Sequence, residues 1–275
     1  MKLTAFEEDG QILVGALSAD GTITPMGQRE AFWAAPQSSP PAASGPVRRA
    51  EDVRLQPAIP VQARIACIGL NYRKHAEEGG SPIPEVPVVF CRWTRSTIAD
   101  GDPVWHVEER LDWEVELGVV IGKPMYKVPP ERALDGVYGY CVYNDVSARR
   151  YQRQSLQWGM GKNGEASGPM SAIVTADEVG DPADGLRITT RVNGETMQDS
   201  STSDMIFDCR KLIAYMSEIM VLQPGDLIIT GTPEGVGFAR KPPVYLKPGD
   251  RVECEIERIG RVANPVIAPP DPILP

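Results

Sequence analysis

The chain has 275 residues, 42% hydrophobic and 24% charged, with a formal net charge of −9. This is a globular composition, long enough for one large domain with a small addition. The acidity excludes nucleic acid as the main partner, because phosphate binding demands a basic patch, and no apolar run approaches the ~20 residues of a membrane span.

The opening MKLTAFEEDGQ is charged with no apolar core behind it, so no signal peptide is expected. Residues 1 to about 33 hold two short alternating runs, KLTAF and ILVGALS, then the turn ADGTITP, and predict a small antiparallel unit. Residues 34 to 46 are rich in Ala, Pro and Ser and read as a linker or long loop. The boundary therefore falls near residue 57: a small N-terminal β segment with its linker over 1–57, and a catalytic domain over 58–275. Five scattered cysteines, Cys67, Cys91, Cys141, Cys209 and Cys254, lack any CxxC or Cys/His zinc spacing and suggest a reducing, cytoplasmic setting. Cys67, Cys91 and Cys141 read as small core residues.

RIACIGL predicts a strand, followed by a turn at Gly69, a capping candidate at Asn71 and the polar helical turn YRKHAEE. His75 and Glu78 are three apart and share a helix face, which suits either a surface ion pair or an acid–base pair. GGSPIP is a Pro-punctuated loop, VPVVFCRW a buried-strand pattern, and His106, among acidic neighbours, a surface residue.

LDWEVELGVVIG, Leu111 to Gly122, reads as a strand. Glu114 and Glu116 are two apart, so pleating sets both on one face, roughly 6.5–7 Å apart along the chain, while Trp113, Val115 and Leu117 point the other way. Two such carboxylates either form a wet edge or require a cation or proton between them.

Tyr138 to Tyr143 is a further strand, and Asn144, Asp145 and Ser147 are cap-type residues where a helix can begin. Arg149 and Gln152 would share a face of that helix. QWGMGKNGEASGP is a Gly-rich loop carrying Lys162; without a GK[ST] ending it is not a nucleotide loop. Asn193-Gly194 signals a hairpin, and Leu212, Met216 and Ile219 a core-facing helix. DLIITGTPEGVG runs from a strand into a loop whose backbone N–H groups and Thr232 hydroxyl suit an anion.

Taken together, GLNYRKHAEE, LDWEVELGVVIGK, YNDVSARRYQ, the lysine of GKN, TSDMIF and LQPGDLIITGTPEGVG, in this order over about 64–266, resemble the fumarylacetoacetate hydrolase family, in its acylpyruvase-like branch. The resemblance implies a mixed α/β, strand-rich fold with a rolled mixed sheet and a small N-terminal β appendage, in a homodimer. It implies that Glu114, Glu116 and Asp145 hold a divalent cation, and that His75 and Glu78 form a water-activating dyad on a closing helix. Lys162 then stabilises developing charge, and Tyr72, Arg149, Gln152, Gly231 and Thr232 bind the substrate. Arg150 departs from the Asp often found there. Three carboxylates without Cys or His suit Mg²⁺, Mn²⁺ or Ca²⁺ better than Zn²⁺.

The expected activity is hydrolysis of a carbon–carbon bond in a 2,4-dioxo acid of the acylpyruvate type, through an enolate held by the cation. Decarboxylation of oxaloacetate, a hydratase, isomerase or lyase reaction, and a non-catalytic metal-binding relative are the alternatives.

Overall fold

The computed structural model describes residues 1–34 and 42–272; most of the expected linker, residues 35–41, lies outside the described residues. Most of the regular secondary structure among them is strand, in sheets with both parallel and antiparallel pairs. The fold is mixed α/β and strand-rich.

The diacid segment sits at its centre. Its strand, Val115–Ile121, pairs antiparallel with Val137–Asn144 on one side and Leu227–Ile229 on the other. Every residue of Val115–Ile121 is buried, as expected of a sheet covered on both faces. Period-two alternation assigns the faces. Trp113, Val115, Leu117, Val119 and Ile121 enter one core, with side chains of the strands Arg187–Val192, Arg251–Ile256 and Gly260–Ile267. Val120 enters the other, with Cys141, Tyr143 and the N-terminal Leu3, Ala5 and Val14. A wet edge strand is thereby excluded.

The N-terminal strands Lys2–Glu8, Gln11–Leu17 and Thr22–Gln28 form the expected antiparallel meander. Lys2–Glu8 also pairs with Ile173–Thr175, which joins the meander to the central sheet. Beyond Leu227–Ile229 the sheet continues through a parallel pairing to Ile65–Gly69 and ends on Val88–Arg92. The hairpin turn at Asn193 and Gly194 has φ of 52° and 84°, as a two-residue turn with both residues left-handed requires.

Several local expectations are corrected. Asn71 does not cap the helix Arg73–Glu78. Its amide bonds the Phe207 and Thr230 carbonyls and accepts from the Phe207 N–H, so it pins two loops together. The helix expected after Asp145 begins only at Arg149, and no side chain caps it. Lys162 closes a short helix, Gly159–Lys162, instead of riding on an open loop. Cys91 and Val89 face outward on an edge strand, so VPVVFCRW is only half-buried. Leu212 and Met216 face the core from the helix Cys209–Ser217, but Ile219 lies past its end and is 82% exposed.

Candidate active site

The site forms where three strand ends meet. Val115 pairs with Asn144, so the residues just outside the register, Glu114 and Asp145, lie side by side; the Asp145 N–H donates to the Glu114 carbonyl at 2.8 Å. The Asn144 side chain accepts from the Glu114 N–H at 3.0 Å and fixes the entry to the strand. One oxygen each from Glu114, Glu116 and Asp145 falls within 4.8 Å of the others, and all three residues are buried.

The charges around this triad are ordered. The Lys162 ammonium donates to Glu114 Oε2 at 2.7 Å and to Asp145 Oδ2 at 2.5 Å. Arg149 reaches Glu114 Oε1 at 2.5 Å and Asp112 Oδ2 at 2.8 Å, and Arg92 holds Asp145 Oδ1 at 2.5 Å. Burial works against the Glu114 carboxylate, but Lys162 and Arg149 outweigh it and bring its pKa down to about 2. Burial likewise disfavours the Lys162 ammonium, yet Asp145 and Glu114 hold it protonated above its ordinary range.

Glu116 differs. Its Oε2 accepts from the Gly231 N–H at 2.7 Å, which a positive φ of 94° at Gly231 presents, but no cation pairs with it among the described residues. Burial, then the Asp145 and Glu114 carboxylates, push its pKa well above the usual carboxylate range. The group is 2% exposed.

A dication fits this donor set. All donors are hard oxygens, two of them from one rigid segment, and the carboxylate without a cationic partner faces the other two. Four buried carboxylates here, Asp112, Glu114, Glu116 and Asp145, meet three buried cations, Arg92, Arg149 and Lys162. With Glu116 deprotonated on binding, a dication brings the balance to net positive and makes the site attractive to an anionic oxoacid.

Above the triad lies a cavity of about 350 Å³, into which Glu114, Glu116, His75, Lys162 and Thr232 face. His75 is 8% exposed, and its Nδ1 lies 3.3 Å from Glu78 Oε2. Glu78 in turn accepts from the Gly235 N–H at 3.0 and 3.2 Å, tying this short helix to the GTPEGVG loop. Arg149 Nη1 donates to Gln152 Oε1 at 2.9 Å, so both stand on one helix face as the spacing predicts, and Arg149 Nη2 is a buried donor without a partner among the described residues. Thr232 Oγ1 accepts from Gln198 Nε2 at 2.8 Å, which leaves its own proton to donate.

Two residues expected at the substrate stand elsewhere. Tyr72 is fully buried in the main core and does not line the cavity. Gly231 also lies off the wall, and its N–H is taken by Glu116. The anions received by the Gly-rich loop are the protein's own carboxylates: Glu116 at Gly231, Glu78 at Gly235 and Asp112 at Gly237. Arg150, the departure noted in the sequence, has an exposed side chain over Tyr151.

Sequence reasoning missed Asp112, Arg92 and Phe238. Asp112 accepts from the N–H groups of Gly237 at 2.7 Å and Phe238 at 3.0 Å as well as from Arg149, so it sets the loop and the arginine together. Its signal was present, since 112, 114 and 116 continue one alternation. Arg92 ends an apolar strand, a place where a charge needs a buried partner. Phe238, which packs against His75 and Arg149, carried no signal.

Fold and site together define a strand-rich enzyme scaffold with a buried three-carboxylate centre. The chain belongs to the fumarylacetoacetate hydrolase family: the model of the fumarylacetoacetate (FAA) hydrolase C-terminal domain matches residues 64–267. It is 43% identical over 221 residues to the mitochondrial oxaloacetate tautomerase fahd2 of Xenopus laevis, covering 78% of this chain and 69% of that protein. Among solved structures, 5-carboxymethyl-2-hydroxymuconate delta-isomerase of Mycobacterium smegmatis superposes with a TM-score of 0.81 at 32% identity, covering 98% of this chain and 100% of the other. Fumarylpyruvate hydrolase of Pseudomonas aeruginosa, solved with Mn²⁺ and pyruvate, gives 0.68 at 31% identity, covering 77% of this chain and 91% of the other. The relatives thus include a tautomerase, an isomerase and a hydrolase. No helix among the described residues is long and apolar enough to cross a membrane.

Proposed function

We propose that this protein is a divalent-metal-dependent hydrolase that cleaves a carbon–carbon bond in a 2,4-dioxo acid. The observation that carries the reading is the meeting, at one cavity, of a hard three-carboxylate set with a His–Glu pair and the cationic side chains of Lys162, Arg149 and Arg153. Held by Glu114, Glu116 and Asp145, Mg²⁺ or Mn²⁺ would supply a Lewis acid for the oxygens of a 2-oxo acid.

The chain's own groups account for the remaining chemistry. With Nδ1–H donated to Glu78, His75 keeps Nε2 as the base that takes a proton from water. The hydroxide so formed adds to the distant carbonyl. The bond between that carbon and the neighbouring methylene then breaks, its electron pair passing to the pyruvate fragment as an enolate. Lys162 and the unpaired Nη2 of Arg149 offset the developing negative charge, and the Thr232 hydroxyl donates to the substrate carboxylate. The His75 proton returns to the enolate carbon and releases pyruvate and an acid.

A second reading is keto–enol tautomerisation of oxaloacetate, the activity named for the Xenopus relative and favoured by that 43% identity. In it His75 moves a proton between carbon and oxygen, and no water attacks. Acetylpyruvate, fumarylpyruvate and oxaloacetate, each with Mn²⁺ and after chelation, separate the two. The expected result is metal-dependent pyruvate release from a 2,4-dioxo acid, reduced ~10²–10⁴-fold in His75→Asn with metal uptake retained. Enol decay of oxaloacetate without pyruvate release would establish the second reading, pyruvate from oxaloacetate would mark a decarboxylase, and no turnover of any of these acids would refute both.

A further inference from the structure

Arg153 follows directly on the helix Arg149–Gln152, at its C-cap, and lines the cavity. The other arginine and lysine side chains around the site are committed to carboxylates: Lys162 to Glu114 and Asp145, Arg149 to Asp112 and Glu114, Arg92 to Asp145. Arg153 is not. Among the described residues its guanidinium makes no ion pair and no side-chain hydrogen bond.

Its position is nonetheless constrained. The guanidinium carbon lies 4.5 Å from the centroid of Phe238, the ring that Arg149 also covers at 4.5 Å. The Phe238 backbone is itself held by its N–H, which donates to the buried Asp112 at 3.0 Å. Stacking on a fixed ring limits the rotamers of a long side chain while leaving the N–H edge open. A flat guanidinium with a free edge is the geometry that receives a carboxylate through two parallel hydrogen bonds.

Depth decides which carboxylate. The triad is buried on the floor of the cavity, whereas Arg153 is exposed at its wall. For a ligand whose 2-oxo acid end lies on the floor with Thr232, Lys162 and Arg149, Arg153 is the wall cation not committed to a carboxylate of the protein.

We propose that Arg153 is a specificity-determining residue that selects 2-oxo acids bearing a second carboxylate at the end remote from the 2-oxo group. This rests on the reading above that the cavity receives a 2-oxo acid. The substrate class is thereby narrowed to dicarboxylic 2-oxo acids, and a monoacid of equal length is the disfavoured ligand.

Calorimetric binding to the Mn²⁺-loaded protein tests this without turnover. 2-Oxoglutarate and 2-oxoadipate are each compared with the 2-oxo monoacid of the same chain length, in wild type, Arg153→Met and Arg153→Lys. Wild type is expected to prefer a diacid by roughly tenfold or more, a preference that weakens with salt because the arginine is exposed. Arg153→Met, which keeps apolar packing on Phe238, should bring the preference to within about twofold, and Arg153→Lys should fall between. Monoacid affinity should stay at the wild-type level in both. A wild type without diacid preference, or an Arg153→Met variant that retains it, overturns the assignment while leaving the 2-oxo acid reading intact. Failure of wild type to bind any of the four acids overturns that reading and the assignment with it.

Discussion

Glutamine at position 116 removes one charge from the triad and keeps its shape. In the metal-free protein the Glu116 carboxyl is almost fully buried, lacks a cationic partner among the described residues, and has a pKa raised by burial and then by Asp145 and Glu114. A carboxyl whose folded pKa lies above its ordinary value of 4.5 contributes stability below that value, and loses it as the pH rises through the folded pKa. Glutamine titrates nowhere in this range, and its amide oxygen still accepts from the Gly231 N–H. Metal-free Glu116→Gln should therefore melt at the wild-type temperature or above it near neutral pH. With metal the sign reverses. A cation at about 100 times its Kd stabilises wild type by ~2.7 kcal/mol, and at roughly 2–4 °C per kcal/mol for a chain of this size that is an increase of about 5–10 °C. The variant should lose nearly all of it. Thermal melts with and without Mn²⁺ at neutral pH give both numbers. A full metal-induced shift in Glu116→Gln, or a metal-free variant several degrees less stable than wild type, would refute the assignment of Glu116 as an uncompensated ligand.

The same raised carboxyl makes metal uptake release a proton, so affinity for Mn²⁺ should tighten as the pH rises through its elevated value; an affinity flat across mildly acidic to neutral pH counts against it. Arg92→Met strips a fully buried guanidinium from Asp145 and should destabilise the metal-free protein by about 3–5 kcal/mol in denaturant melts, where a loss below ~1 kcal/mol would contradict a buried pair. Gly161→Ala would set a Cβ 2.4 Å from the Gln152 backbone nitrogen, wedging Arg149–Gln152 away from Gly159–Lys162. It should cost about 1–3 kcal/mol and raise KM while metal affinity holds; unchanged KM and stability would show that the two helices need not touch.

How far the chain could be read in advance follows from the range of each interaction. The alternation through Glu114 and Glu116, the His75/Glu78 and Arg149/Gln152 spacings and the Asn193-Gly194 turn are local, and each appears as the pattern implied. Features decided by distant packing were harder. Nothing near Arg92 in sequence announces Asp145, which lies 53 residues away. Asn71 looked like a cap because its type suits one, but the folded chain brings Phe207 and Thr230 to it. Ile219 continued a helical spacing past the point where the helix stops, and Cys91 sat in an apolar run whose strand lies at a sheet edge. The anion-receiving loop was recognisable by its glycines, yet the anions it meets come from Glu116, Glu78 and Asp112.

Anomalous diffraction from Mn²⁺-loaded crystals tests the metal centre most directly. One strong peak is predicted at about 2.0–2.2 Å from an oxygen of each of Glu114, Glu116 and Asp145, a distance expected for a small hard dication. A peak elsewhere, or none at saturating Mn²⁺ in crystals of protein that still turns over substrate, would contradict the metal centre described here.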